Sequence, residues 1–314
     1  MNSLVAFIAK RTGYASLPPR KSRNLGLFAF DGNLFGGIFV GMGMALAGAC
    51  PGTVFLQIGA GIQSGFVVAT GGVLGSMLHA YLAPSLRCFR SGGSRFVVFV
   101  DHCGKTVVVP SQFRSVTIYE SLHISHLTAL ILWEAMCSLV LALIVRQESS
   151  GPEPNRSVIF QPIMGGVLIG AAQACVIALT RHAVGISGAY KDLSQWIQVA
   201  YKIHAKDRTA CLGLCTPGVT FACGLVTAGA VLSGSFDISV LPVAANGATV
   251  HGSTDLVSPA CALVGGTMIV FGASVAGGCT SGHGISGLAT FSWASLVTVC
   301  SMFAAGVLTA HMLT

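Results

Sequence analysis

Long apolar stretches alternate with short polar segments along the whole chain. Each stretch approaches the ~20 residues that an α-helix needs to cross the hydrocarbon core of a bilayer. The pattern therefore predicts an all-α, polytopic membrane protein. The stretches lie at 32–50, 58–84, 122–145, 161–180, 209–233, 256–278 and 291–313.

The amino-acid composition supports the same class. Hydrophobic residues make up 53% of the 314 residues and charged residues only 9%, with a mean hydropathy of +0.77. Soluble domains usually carry about 25% charged residues, so this chain lacks the polar side chains to cover a soluble surface. Its 40 glycines are typical of membrane helices that pack closely. The net charge of +7 is spread between apolar stretches, which indicates membrane topology rather than a nucleic-acid partner.

The connecting segments differ in charge, and this difference predicts their sidedness. Segments 87–120 and 191–208 are basic, whereas segment 234–255 carries two aspartates and no Lys or Arg. Because basic loops stay on the cytoplasmic side, we expect the first two inside and the third outside. The alternating residues of 95–109 predict a short strand pair within the first basic loop.

The predicted organisation has three parts, divided near the middle by the linker GPEPNR at 151–156. The basic and acid-poor N-terminal segment also allows a second interpretation, as a transit peptide. We favour a multi-pass location in the plasma membrane, with a mitochondrial membrane as the alternative. The parts are a basic N-terminal arm (1–31), a first membrane half with the cytoplasmic loop 87–120 (32–150) and a second membrane half (151–314).

A glycine-rich pattern that ends in a cysteine occurs twice, 229 positions apart. It reads G-G-x5-G-x3-A-G-x-C and ends at Cys50 and at Cys279. A third, weaker copy begins at Gly165-Gly166 and has no cysteine at the matching place. The two full copies predict an internal duplication. The matched residues are Gly36 with Gly265, Gly37 with Gly266, Gly43 with Gly272, Ala47 with Ala276, and Gly48 with Gly277.

Each full copy describes an apolar helix that stops part-way into the membrane. Gly and Pro after the cysteines break the helix, and non-helical backbone at that depth occurs only where protein buries it or it lines a cavity. Paired interrupted segments in corresponding halves are typical of a transporter's central site. A helix that restarts there presents N–H groups and a positive dipole end, which suit an anion. We therefore expect two inverted-repeat halves whose broken, re-entrant helices meet at the membrane centre.

Three stretches of the chain are distinctive: GMGMALAGACPGTVFLQIGAG (41–61), GGVLIGAAQACVIALTRHAVGISGAY (165–190) and FGASVAGGCTSGHGISGLATFS (271–292). In these stretches and in their order, the chain resembles the YeeE/YedE family of sulfur-related membrane proteins. The resemblance implies a helical fold of two inverted halves and the uptake of thiosulfate. It also implies that pore cysteines, here Cys50 and Cys279, pass the anion inward through transient thiol–sulfur hydrogen bonds. Members of the family usually have a first re-entrant segment before the first long helix. Residues 1–31 are too short and too polar to supply this segment.

The chemistry of the two breaks fits a small sulfur-containing anion. Burial keeps a cysteine protonated, so its S–H can donate weakly to a soft acceptor, and conduction requires binding weak enough to release the ion. Packing cysteines and a structural histidine are the alternatives. Arg181 and His182 form either a basic vestibule for anions or an ordinary helix end with a snorkelling arginine. The candidate pore residues are Cys50, Gly52, Thr53, Cys279, Thr280, Ser281, Gly282 and His283.

Two other classes of function remain open from the sequence. A membrane enzyme that transfers persulfide sulfur to a soluble carrier protein would use an activated thiol, for which Cys88 and Cys103 lie among basic residues. A non-transporting assembly subunit is the other class. We expect no cofactor and no metal site, since Cys211 and Cys215 have no second pair of ligands beside them.

Overall fold

The computed structural model describes residues 2–15, 17–25, 27–93, 117–149, 156–181, 185–203, 217–235 and 257–313. The predicted strand pair at 95–109, and with it Cys103, lies outside these residues, as do His182, Cys211 and Cys215. The described ranges form α-helices and one π-helix. In chain order these are α1 (Asn2–Arg11), α2 (Asp31–Ala47), α3 (Pro51–Gly59), α4 (Gln63–Gly93), α5 (Ile118–Ser121), α6 (His126–Ser149), α7 (Arg156–Thr180), α8 (Ser187–Ile203), α9 (Pro217–Ser235), α10 (Pro259–Ala276), the π-helix (Ser281–Gly287) and α11 (Trp293–Leu313).

The predicted all-α, polytopic membrane class is confirmed. Among the described residues, six helical segments are long and apolar enough to cross a membrane. The predicted stretch at 209–233 differs, because its apolar helix is shorter and covers Gly218–Gly234. The six segments are Asp31–Gly59, Gln63–Leu82, His126–Leu143, Ile163–Thr180, Pro259–Ala276 and Trp293–Leu313.

The chain divides into two compact units, each assembled from separated parts of the sequence. The first unit comprises Met1–Lys21, Phe113–Val184 and Ile285–Trp293, and the second comprises Ser22–Gln112, Gly185–Gly284 and Ala294–Thr314.

In the first unit, α1 packs against α7 and α6. Ala6 and Ala9 of α1 are buried in one apolar cluster with Ile177 of α7. The Ser3 hydroxyl donates a hydrogen bond of 2.6 Å to Glu134 of α6. Helix α1 lies within the segment for which the charge pattern predicts a basic arm, and its charged residues Lys10 and Arg11 fall in its last turn.

The second unit contains both full copies of the repeat, and its centre is the antiparallel crossing of α2 and α10. Glycines at this crossing bring the two backbones together, as they do between many membrane helices. A methyl group on Gly43 would lie 2.7 Å from the carbonyl oxygen of Gly265, and one on Gly265 would lie 2.8 Å from that of Gly43. Both helices end at matched residues of the repeat, Ala47 and Ala276. The sequence repeat is therefore a repeat of structure.

The third, weaker copy of the pattern has no such crossing. A methyl group on Gly165 or Gly166 of α7 would meet no atom within 4 Å among the described residues. In the two full copies, by contrast, a methyl group on the corresponding glycines would come closer than 3 Å to neighbouring atoms. The glycine pair alone therefore does not determine the packing.

Candidate functional site

The first break in the membrane helices lies between α2 and α3, at Gly48. This glycine adopts a left-handed conformation (φ 62°), and its N–H donates to the Met44 carbonyl, which is a common way for a helix to end. Pro51 then occupies the first turn of α3, where its missing N–H and fixed φ favour a helix start. The sequence predicts that Pro51 breaks the helix, whereas in the structure Gly48 ends one helix and Pro51 begins the next.

Cys50 is the N-cap residue of α3. Its sulfur accepts a hydrogen bond from the Thr53 N–H at 3.4 Å, and its own N–H donates to the Thr53 hydroxyl at 2.8 Å. The two residues thus form a reciprocal capping box, with a thiol in place of the usual hydroxyl. This arrangement fixes the Cys50 side chain at the positive end of a helix. The predicted partners Gly52 and Thr53 both lie beside the sulfur.

The second break follows α10 and repeats the geometry of the first. Gly277 is left-handed (φ 84°), and its N–H donates to the Ala273 carbonyl. Gly277 and Ala273 are the residues that the repeat matches with Gly48 and Met44. A π-helix begins at Ser281 where the first copy has α3. Single turns of π-helix occur frequently at functional sites.

Cys279 is fully buried at this second break. Its neighbours are apolar, among them Val40 of α2 and Met302 of α11. The sulfur lies 3.2 Å from the Ser281 hydroxyl, and the Cys279 carbonyl accepts a hydrogen bond from the His283 N–H at 2.9 Å.

His283 is buried and connects the π-helix to α11. Its Nδ1 lies 3.0 Å from the hydroxyl of Ser295. The remaining predicted residues of this segment, Thr280 and Gly282, lie on either side of Ser281, and Gly282 is buried. The predicted pore residues of the second break are therefore held together in one turn, in which Cys279, Gly282 and His283 are buried and Thr280 and Ser281 are partly exposed.

Tyr190 of α8 lies beside the first break and is absent from the sequence-based prediction. Its hydroxyl donates to the Pro51 carbonyl at 3.1 Å, and its ring contacts that of Phe55 with 5.0 Å between centroids. Burial raises the pKa of the Tyr190 phenol, and negative charge on the Cys50 or Cys279 sulfur raises it further. Phe55 packs against the clusters of both Tyr190 and Cys279. Phe55 therefore links the apolar cluster of Tyr190, at the first break, to that of Cys279, at the second.

Arg23 is a second residue that the sequence does not predict at the site. Its side chain lies over Gly277, so that a methyl group there would be 2.7 Å from the Arg23 Nε. The Arg23 N–H donates to the side chain of Asn33 at 2.7 Å. The Asn33 amide in turn donates to the Ala276 carbonyl at 3.3 Å and to the Thr298 hydroxyl at 2.9 Å. The exposed side chain of Arg23 thus lies against Gly277, which precedes Cys279 by two residues.

The described residues do not test the predicted anion vestibule or the predicted enzyme thiols. Arg181 ends α7 in the first unit, where its guanidinium stacks over the Tyr14 ring at 5.0 Å. Its partner His182 lies outside the described residues. The side chain of Cys88 is likewise outside them, as is Cys103. These roles remain predictions.

A duplicated pair of apolar helices, each ending at a left-handed glycine just before a cysteine, defines a membrane protein with two matched helix breaks. The sequence profile of the family described as "Sulphur transport" matches residues 1–309. The chain therefore belongs to this family, and the resemblance to YeeE/YedE proteins is confirmed.

Two curated relatives from Xylella fastidiosa, both called "Probable transporter", are about half as long as this chain. The relative from strain 9a5c is 31% identical over 150 residues, which cover 48% of this chain and 90% of the relative. The relative from strain Temecula1 is 29% identical over 150 residues with the same coverage. The similarity thus extends over nearly all of each relative but only half of this chain.

Proposed function

We propose that this protein transports a small sulfur-containing anion, with thiosulfate as the first candidate, and that Cys50 and Cys279 contact the anion in turn. The observation that carries the proposal is the position of the two thiols, each at a matched helix break, with Phe55 packed against both the apolar cluster of Tyr190 and that of Cys279. Membership of the sulphur-transport family and the names of the relatives support a transporter rather than an enzyme.

The donors around the two cysteines suit an anion that must be released again. An anion that leaves water for a membrane interior needs groups to replace its hydration. The groups that hydrogen-bond the two sulfurs, Thr53 and Ser281, are neutral. Neutral donors hold an anion more weakly than an ammonium or guanidinium group would. Such weak contacts favour passage of the anion over tight binding.

The thiols favour the sulfur end of the anion. A thiol is a weak, polarisable donor, and the terminal sulfur of thiosulfate is a soft acceptor. The Cys50 sulfur lies at the N-terminus of α3, where the helix dipole favours negative charge. Arg23 adds a positive charge near Cys279 without lying in the buried turn itself. In this proposal, Arg23 attracts the anion at long range and the thiols contact it weakly.

The test is uptake of radiolabelled thiosulfate by liposomes that contain the purified chain. We expect uptake above that of protein-free liposomes, inhibited by excess unlabelled thiosulfate and much less by sulfate, which has no terminal sulfur. No uptake by a chain that unfolds cooperatively, and is therefore folded, would contradict the proposal. Equal inhibition by thiosulfate and sulfate would contradict the role of the thiols.

A further inference from the structure

Tyr190 places a strong hydrogen-bond donor beside the first break, next to the weak donor Cys50. The residue is only 2% exposed. Its hydroxyl contacts the carbonyl of Pro51, the residue that follows Cys50. A phenol O–H is a better donor than a thiol S–H. Because the pKa of the phenol is raised, it keeps its proton throughout the physiological range.

The hydrogen bond to Pro51 is not needed to satisfy that carbonyl. Pro51 is in the first turn of α3, and carbonyls at this end of a helix already accept an intrahelical bond. The ring of Tyr190 is held independently, by Phe55 on one side and by the close approach of Gly72 on the other. A methyl group on Gly72 would lie 2.7 Å from the Tyr190 ring. The hydroxyl can therefore change its acceptor while the ring stays in place.

An anion such as thiosulfate has two chemically different ends. Its terminal sulfur is a soft acceptor, and its oxygens are hard acceptors that prefer O–H donors. The thiols of Cys50 and Cys279 match the first end, and the hydroxyl of Tyr190 matches the second. The Tyr190 hydroxyl lies 3.1 Å from the carbonyl of the residue that follows Cys50, and Phe55 packs against both the apolar cluster of Tyr190 and that of Cys279.

We propose that Tyr190 is a specificity-determining residue, whose hydroxyl turns from the Pro51 carbonyl to an oxygen of the anion while a cysteine contacts its sulfur. This inference rests on the proposed function and narrows the substrate class to anions that carry both sulfur and oxygen acceptors. Hydrosulfide, which has no oxygen, offers the phenol only a soft sulfur acceptor and gains less from it. Selectivity for thiosulfate over hydrosulfide thus depends on one hydroxyl group.

The direct test is the variant Tyr190→Phe, which keeps the ring and removes only the hydroxyl. The matched control is Tyr14→Phe, since the Tyr14 hydroxyl also donates to a backbone carbonyl, that of Ala178 in the first unit. We expect Tyr190→Phe to raise the half-saturation concentration for thiosulfate about ten-fold or more, as expected for a lost hydrogen bond to an anion. Inhibition of uptake by hydrosulfide should change by less than about two-fold, and the control should behave as wild type.

The outcomes separate this inference from the proposed function. Unchanged thiosulfate affinity in Tyr190→Phe would overturn the role of the hydroxyl and leave the transport function intact. Equal weakening of thiosulfate and hydrosulfide would show a structural role and would also overturn it. A failure of the wild-type chain to take up thiosulfate would contradict the proposed function itself. Should Tyr190→Phe fold poorly, a wild type that does not prefer thiosulfate to hydrosulfide by about ten-fold would still overturn the inference.

Discussion

Gly36 of α2 and Gly272 of α10 lie against each other, each facing the other's carbonyl oxygen. A methyl group on Gly36 would lie 2.7 Å from the Gly272 oxygen, and one on Gly272 would lie 2.6 Å from the Gly36 oxygen. The repeat matches Gly36 with Gly265 and Gly272 with Gly43, and these two partners also face each other. Such exchanged pairs are what a local two-fold relation between antiparallel helices produces.

The first prediction concerns this crossing. The substitution Gly272→Ala should destabilise the fold by about 1–3 kcal/mol, because the added methyl group meets backbone that cannot move aside. Thermal unfolding in detergent, followed by circular dichroism, measures the effect. The matched control is Gly165→Ala, whose methyl group meets no described atom within 4 Å. It should be neutral or slightly stabilising, since alanine favours the helix. An unchanged melting temperature in Gly272→Ala would contradict the close crossing.

The second prediction concerns Asp31, which is fully buried at the start of α2. One carboxylate oxygen accepts hydrogen bonds from the N–H groups of Leu25 and Gly32 at 2.6 and 2.7 Å, and the other accepts one from Leu27 at 2.8 Å. The variant Asp31→Asn replaces one acceptor oxygen with an NH₂ group. We expect it to lower the free energy of unfolding by about 2–4 kcal/mol, because a backbone donor loses its partner and faces another donor.

Unfolding in denaturant measures the cost of Asp31→Asn. The matched control is Glu120→Gln, because Glu120 is an exposed acid, and it should change stability by no more than about 0.5 kcal/mol. Equal stability of Asp31→Asn and the wild type would show that the carboxylate does not organise the segment that carries Arg23.

The third prediction concerns the exposed guanidinium of Arg23. The variant Arg23→Gln should lower the initial rate of thiosulfate uptake several-fold at about 0.01 M ionic strength, because the charge near Gly277 attracts anions from solution. At about 1 M salt the Debye length falls to ~3 Å, and the difference should nearly disappear. Uptake rates at the two salt concentrations provide the measurement.

A structural role for Arg23 would give a different result. Arg23 also lies at the C-terminal end of α10, where a cation stabilises the helix. A purely structural effect would lower the melting temperature and reduce uptake equally at both salt concentrations. The control Arg11→Gln, which removes an exposed charge of the first unit, should leave the salt dependence unchanged.

The sequence predicts the two breaks to within a few residues, because the residues that form them are local, although the helices end before the cysteines rather than after them. Gly48 and Gly277 each end a helix a few residues before a cysteine, and glycine at such an end is a signal readable from sequence. Apolar length likewise predicts the membrane helices. These features depend on neighbouring residues, so a single sequence contains them.

Tyr190 and Arg23 could not be predicted in the same way. Tyr190 is 139 residues from its partner Pro51, and no periodicity links the two positions. Asn33, which positions Arg23, bonds to Thr298 across 265 residues. In the sequence, Tyr190 is one aromatic residue in a helix and Arg23 is one charge among several in a basic segment. Only the packing of α2, α8 and α10 places them beside the cysteines.

The most direct test of the central claim is thiosulfate uptake by liposomes containing Cys50→Ala or Cys279→Ala. The matched control is Cys261→Ala, which removes an exposed thiol from the start of α10. With all variants folded, as judged by their melting temperatures, we predict that each of the first two loses about ten-fold or more of the uptake rate. The control should remain within about two-fold of wild type. Wild-type rates in folded Cys50→Ala and Cys279→Ala would contradict the account.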